Sequence, residues 1–241
     1  MSIAPEKPPD AKASDLAAGM VARAAQILIS FALQAAVLFL AAGRLAWTWA
    51  WVFLGIYVLS VVVNSLLLLR TNPGTIAERG RPKEMKNWDK AISGVWGLAQ
   101  FLLIPLVAGL DFRFGFSGNV GPIVHLAGCM LFGTGLALFG WAMIENAYFS
   151  TVVRIQTDRG QTVCRSGPYR FVRHPGYAGT LLQSAGAPLL LGSWWALLAG
   201  ALAAGSMVLR TTLEDRTLRL ELLGYDEYAK QIRYRLIPGI W

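Results

Sequence analysis

Charge is scarce in this chain. Only 15% of its 241 residues are Asp, Glu, Lys or Arg, whereas a soluble domain carries about a quarter. The apolar residues make up 55% of the sequence. They fall in blocks rather than amphipathic stripes, and blocks of roughly 20 residues suit a bilayer core of about 30 Å. A soluble globular fold is excluded, and an integral membrane protein is implied. Cysteine is scarce too. Cys129 lies in an apolar block and Cys164 in a loop, and the two form neither a metal-ligand spacing nor a disulfide framework, so no metal is expected. Of the two histidines, His125 stands alone at the start of an apolar block and reads as a satisfied interfacial residue rather than a ligand.

What is present is a succession of spans. The opening "MSIAPEKPPDAKASD" is polar and proline-rich, so residues 1–20 read as a disordered tail. The apolar run behind it is too long for a signal-peptide core and reads as a retained anchor. Four spans are expected over about Val21–Ala42, Trp47–Leu69, Ala91–Leu110 and Gly121–Ile144. Pro105 in the third is tolerated as a kink, and the glycines of the fourth allow a neighbouring helix to approach closely. The link "RTNPGTIAERGRPKEMKNWDK" contains breakers that forbid one continuous helix. It reads as a solvated loop on an anionic membrane surface rather than as a binding site. From Tyr177 to Leu209 the apolar stretch is too long for one straight span and short for two. A helical hairpin with a short first limb, turning near Gly192 and Ser193, satisfies this. The expectation is therefore an all-α integral membrane protein of about six transmembrane helices.

Charge sign then orients the chain. Basic residues collect on the N-terminal segment, the second-to-third link, the loop before Tyr177 and the C-terminal region, while Arg44 and Arg113 alone fall on the opposite side. By the positive-inside rule both termini and that loop face the cytoplasm. The formal net charge of +8 is therefore topology, and no nucleic-acid partner is expected.

The loop holds the densest chemistry. "GPYRFVRHPGYAG", residues 167–179, sets Arg170, Arg173, His174 and two prolines among greasy neighbours. Pro175 suits the first turn of a helix. The N–H groups of that turn, with Arg173 and His174, suit a carboxylate or phosphate. Arg210 and Glu214 are four apart on one helix face, and the hairpin returns them beside the loop. Arg173, His174, Arg210 and Glu214 are thus expected to line one pocket. The alternative is an Arg210–Glu214 pair with Arg173 on lipid headgroups. A pocket holding both signs of charge suits a zwitterion with an aromatic part, such as S-adenosylmethionine.

"GPYRFVRHPGYAGTLL", followed by "RTTLEDRTLRLELLGYDEYAKQIRYRLIPGIW", resembles the isoprenylcysteine carboxyl methyltransferase family in its bacterial form, within a grouping that includes phospholipid N-methyltransferases. The resemblance covers roughly the last hundred residues. It implies four N-terminal helices over residues 21–144 and a catalytic region over 145–241. It also implies an S-adenosyl-L-methionine-dependent enzyme with the cofactor enclosed on the cytosolic side. Cofactor contacts would fall on Gln161, Thr162, Val163 and Cys164, on Tyr169, His174, Pro175, Gly176 and Tyr177, and on Glu214. Arg210, with Arg173, would face the substrate or reacting groups. Eukaryotic members usually carry a histidine where this chain has Gln161. The implied partners are the lipid bilayer and a hydrophobic or prenylated small molecule or protein C-terminus. An isoprenylcysteine carboxylate stands first as acceptor, with phospholipid amines and small thiols behind it. Two other classes compete. An NADPH-dependent membrane reductase of the sterol-reductase type would carry an acidic residue after the "RHPGYAG" run, where this chain has Thr180. A transporter subunit or scaffold would leave the clustered charges unexplained.

Overall fold

A computed structural model describes residues 9–82 and 84–241, with side chains from Ser14 onward. Every regular element among the described residues is helical. Helix α1 (Pro9–Ala42) and α2 (Thr48–Thr71) form an antiparallel pair, and a short α3 (Pro73–Gly80) follows. Next come α4 (Asn87–Gly97) and α5 (Ile104–Phe114), joined by a π-helical segment (Leu98–Leu103), and then α6 (Pro122–Glu145). After a largely irregular stretch, α7 (Pro175–Leu191) and α8 (Ala196–Glu221) make a hairpin, and α9 (Tyr225–Gln231) precedes the C-terminal segment.

Five helical stretches are long and apolar enough to cross a membrane: Ser14–Ala42, Thr48–Thr71, Asn87–Phe114, Pro122–Glu145 and Ala196–Glu221. The expected sixth is α7. With 17 residues at 1.5 Å each it reaches about 26 Å, short of a full crossing. Its turn falls where the sequence placed it, on Gly192 in the left-handed region at φ +73°. The third span widens rather than simply kinking. Pro105 has no N–H to donate, and just before it the Ile104 N–H reaches back to the Ala99 carbonyl, the wide turn of a π-bulge.

Two expectations need correction. The tail expected to be disordered over residues 1–20 is helical from Pro9, because Ala11–Ala18 contains good helix formers and no breaker. Residues 1–8 of that expectation lie outside the described residues. The link after α2 is not a solvated loop, because Thr75, Glu78 and Arg79 of α3 are buried. Asn72 and Thr75 bind the Ile144 and Ala147 carbonyls at the end of α6, at 3.2 and 2.9 Å. Gly80 lets α1 pass so close that a Cβ there would stand 1.9 Å from the Gly19 oxygen.

The scaffold under the candidate site is the α6–α7 contact, and glycine sets its depth. A Cβ on Gly135 would lie 2.6 Å from the Gly179 oxygen, and one on Gly128 would lie 2.1 Å from the Leu190 nitrogen. His125 is buried there, stacked on Trp49 with its Nδ1 2.9 Å from the Leu190 oxygen. This matches its reading as a satisfied residue. Large apolar side chains such as Leu28, Ile29, Val62 and Leu198 face outward, as a lipid-facing surface requires. Overpacking a tight helix contact costs about 1–3 kcal/mol. Gly128→Ala should therefore lower the thermal unfolding midpoint in detergent. Gly133→Ala, with nothing within 4 Å of its added carbon, should leave the midpoint unchanged or raise it slightly, since alanine favours the helix.

Candidate functional site

The motif loop is fixed by one carboxylate. Arg173 grips Asp215 through Nε and Nη2, at 2.7 and 2.9 Å, while its Nη1 donates to the Ile232 and Arg233 carbonyls at 2.7 and 2.8 Å. His174 Nε2 lies 3.2 Å from the same carboxylate, and the Tyr225 hydroxyl donates to it at 3.1 Å. Arg235 and Arg219 reach its other oxygen at 3.1 and 3.3 Å. The backbone adds two bonds, Arg173 and His174 N–H to the Tyr234 and Arg235 carbonyls, both at 2.9 Å. This web sets His174 as the residue before α7 and Pro175 at its first turn. Arg173 touches the cavity wall, but its nitrogens are committed to this web. Its geometry is that of a positioning residue, not of a group on lipid headgroups or reacting atoms.

Against this web lies a cavity open to solvent on one side. Gln161, Thr162, Val163, Cys164, Tyr169, His174, Gly176, Tyr177 and Glu214 all line it. Pro175 is buried behind the wall. Glu214 accepts a hydrogen bond from the Tyr177 hydroxyl and forms no ion pair among the described residues. The remaining wall is strongly aromatic, with Tyr148, Phe149, Tyr225 and Tyr228 beside the two motif tyrosines. Burial pushes the Tyr169 hydroxyl and the Cys164 thiol up, so both stay protonated at neutral pH. Gln161 turns inward, its Oε1 accepting the Gln156 N–H at 2.7 Å.

Arg210 corrects the sequence reading. No Arg210–Glu214 pair forms, and Arg210 does not line the cavity. Its Nε and Nη2 hold Asp89 of α4 at 2.7 and 3.3 Å, and Nη2 also donates to the Thr151 carbonyl at 2.8 Å. The guanidinium stands 5.3 Å from the Tyr177 ring centroid, one side chain behind Glu214. Asp89 also accepts the Val153 N–H at 2.7 Å, so it joins the N-terminal helices to the loop.

Sequence reasoning missed Asp89, and it missed Tyr225 and Tyr228. The aspartate was one acidic residue in a charge-rich link, with nothing local to single it out. The tyrosines, three apart on α9, carried a weak signal as paired aromatics after a glycine.

Together these features define a multi-pass, all-helical integral membrane protein with an aromatic, carboxylate-bearing cavity at the end of a helical hairpin. The phospholipid methyltransferase family model matches residues 123–220, which include nearly all of α6, the motif loop, α7 and nearly all of α8. This agrees with the resemblance drawn from the motif and supports a membrane methyltransferase of that kind. Among solved structures, the eukaryotic intramembrane Ras methyltransferase ICMT (isoprenylcysteine carboxyl methyltransferase) is similar. It is 18% identical, with 92% of this chain and 98% of that chain covered at a TM-score of 0.42. A search of curated proteins finds no match.

Breaking a buried ion pair from one side costs about 3–5 kcal/mol. Asp215→Asn should therefore cause a large drop in the unfolding midpoint, with the motif loop becoming protease-sensitive. Asp226→Asn, which loosens an exposed pair with Lys230, should leave the midpoint essentially unchanged.

Proposed function

We propose that the chain is an S-adenosylmethionine-dependent methyltransferase acting on a lipid-like acceptor, with the carboxylate of an isoprenylcysteine-type molecule as the first choice. The observation that supports it most directly is Glu214, a carboxylate with no ion pair among the described residues, in a cavity walled by aromatic rings. The donor's chemistry fits these residues. Glu214 suits its ammonium or sulfonium charge, the tyrosines suit its adenine, and the Gly176 N–H at the first turn of α7 suits its carboxylate. In this reading residues 145–241 form the catalytic region and the four N-terminal helices form the membrane body, with Asp89 linking the two.

When bound, the donor supplies an electrophilic methyl group on sulfur. The bond from that carbon to the acceptor forms as the carbon–sulfur bond breaks, and sulfur keeps the electron pair. The protein's own part is positioning, which supplies much of the acceleration in such displacements. The Asp215 web fixes His174 and the α7 terminus, Tyr177 holds Glu214, and Arg210 braces Tyr177 from behind. A carboxylate acceptor needs no base, and neither Tyr169 nor Cys164 offers one. A phospholipid amine is the second reading, favoured by the matched family's description, and it would have to release a proton.

Calorimetry on detergent-solubilised protein tests the donor. Wild type should bind S-adenosylmethionine saturably, and Glu214→Ala should lose the binding while keeping its unfolding midpoint. Absence of donor binding to folded wild type, with NADPH bound instead, would transfer the assignment to the reductase class. Turnover in weakly buffered medium tests the acceptor. A carboxylate becomes its methyl ester with no proton released, whereas an amine acceptor releases one per methyl group.

A further inference from the structure

Of the two arginines in residues 167–179, Arg173 is spent on Asp215 and Arg170 is not. Arg170 is exposed, and its Nε makes only a long 3.4 Å bond to the Gly167 carbonyl. Arg165 is exposed too, with Nη2 donating to the Gly224 carbonyl at 3.3 Å. Both line a surface groove together with Trp141 and Glu145 of α6, Val163 and Ser166. Among the described residues neither arginine forms an ion pair, and nor does Glu145. The groove therefore carries two cations and one anion, none of them matched.

Helix α6 sets the height of this groove in the bilayer. Its outward face is apolar and exposed at Ile123, Leu126, Met130 and Trp141. From Ile123 to Trp141 the helix rises about 27 Å, close to the roughly 30 Å of a hydrocarbon core. Trp141 thus sits at the boundary, where tryptophan is enriched, and Glu145, one turn further on, lies in the headgroup layer. Arginine forks suit phosphate oxygens, and basic clusters at this level attract anionic lipids. The charge count narrows the choice. A headgroup of net charge −1 neutralises the groove, whereas a zwitterionic one leaves it positive. Glu145 then needs donors that bring no further charge, and headgroup hydroxyls supply them.

We infer that this groove seats one anionic phospholipid with a hydroxyl-bearing headgroup, of the phosphatidylglycerol kind. Arg165 and Arg170 hold its phosphate, Glu145 accepts from its hydroxyls, and its acyl chains run along the outer face of α6. This lipid is a bound companion and not an acceptor, because the wall of the donor cavity stands between. That wall is thin. Val163 lines groove and cavity alike. Cys164 lines the cavity and donates to the Glu145 carbonyl at 3.7 Å. A Cβ on Gly167 would stand 2.7 Å from the Glu145 carboxylate. A lipid that fixes Glu145 and Arg165 therefore steadies one side of the donor cavity, a consequence that rests on the methyltransferase reading.

Native mass spectrometry of protein released from mixed micelles tests the site, with phosphatidylglycerol, phosphatidylmethanol, phosphatidylethanolamine and phosphatidylcholine as probes. Phosphatidylmethanol carries the same charge as phosphatidylglycerol without its hydroxyls. Wild type should retain one phosphatidylglycerol about fivefold more than either zwitterionic lipid, and severalfold more than phosphatidylmethanol. Arg165→Gln combined with Arg170→Gln should abolish the first preference, and Glu145→Gln the second. Arg216→Gln combined with Arg233→Gln, which removes equal charge from exposed arginines elsewhere, should keep both. The inference is overturned if wild type retains the four lipids alike, if phosphatidylmethanol or phosphatidylethanolamine matches phosphatidylglycerol, or if the Arg216 and Arg233 variant loses the preference equally. Calorimetry of S-adenosylmethionine in nanodiscs tests the coupling. Wild type should bind it severalfold more tightly in phosphatidylglycerol than in phosphatidylmethanol, and the Arg165 and Arg170 variant equally in both. Equal affinity in wild type overturns the coupling. Absence of donor binding in both membranes, with lipid selectivity intact, counts only against the donor assignment.

Discussion

The buried carboxylate of Asp215 is the constraint on which the site depends. A charge removed from water must be matched closely, and this one is matched by Arg173, His174, Arg219, Tyr225 and Arg235 at once. Those partners come from the motif loop, α8, α9 and the C-terminal segment. Closing the charge balance therefore closes the fold around the end of the hairpin. Successive helical residues project about 100° apart. With Asp215 locked into the web, Glu214 is turned onto the neighbouring face, toward the cavity. Adjacent carboxylates thus take opposite parts, one spent on structure and one left open.

A second ion pair repeats this logic between the two parts of the chain. Asp89 and Arg210 lie 121 positions apart in sequence, and their pairing joins α4 to α8 while Asp89 also holds the Val153 N–H. The N-terminal helices are therefore not a passive membrane body, because they position a cation directly behind the Tyr177–Glu214 contact. Glycine serves the same end by different means. At Gly135 and Gly179 the α6 and α7 backbones touch, so the base of the motif helix cannot drift from the helix that leads into the loop.

Hydropathy and spacing made the spans legible, along with the short limb of the hairpin and the motif residues that now line one cavity. These signals are local, carried by runs of 20 residues or by fixed offsets within a helix. The pairing of charges is not local. Arg210 was read with Glu214 because the two sit four apart, yet its carboxylate lies on a different helix. Arg173 was read with the chemistry because it abuts His174, yet Asp215 claims it. Arg79 was read as solvated because proline, glycine and charge surround it. Those same breakers instead shape a short helix that fits beneath α1 and α6.

On the proposed reading, the protein's electrostatics also bear on the direction of the reaction. A sulfonium and a carboxylate attract, and methyl transfer between them removes both charges. A water-poor interior penalises both charges, even when they are paired, so it favours a step that removes them. The neutral ester is then free to return to the apolar phase from which its precursor came.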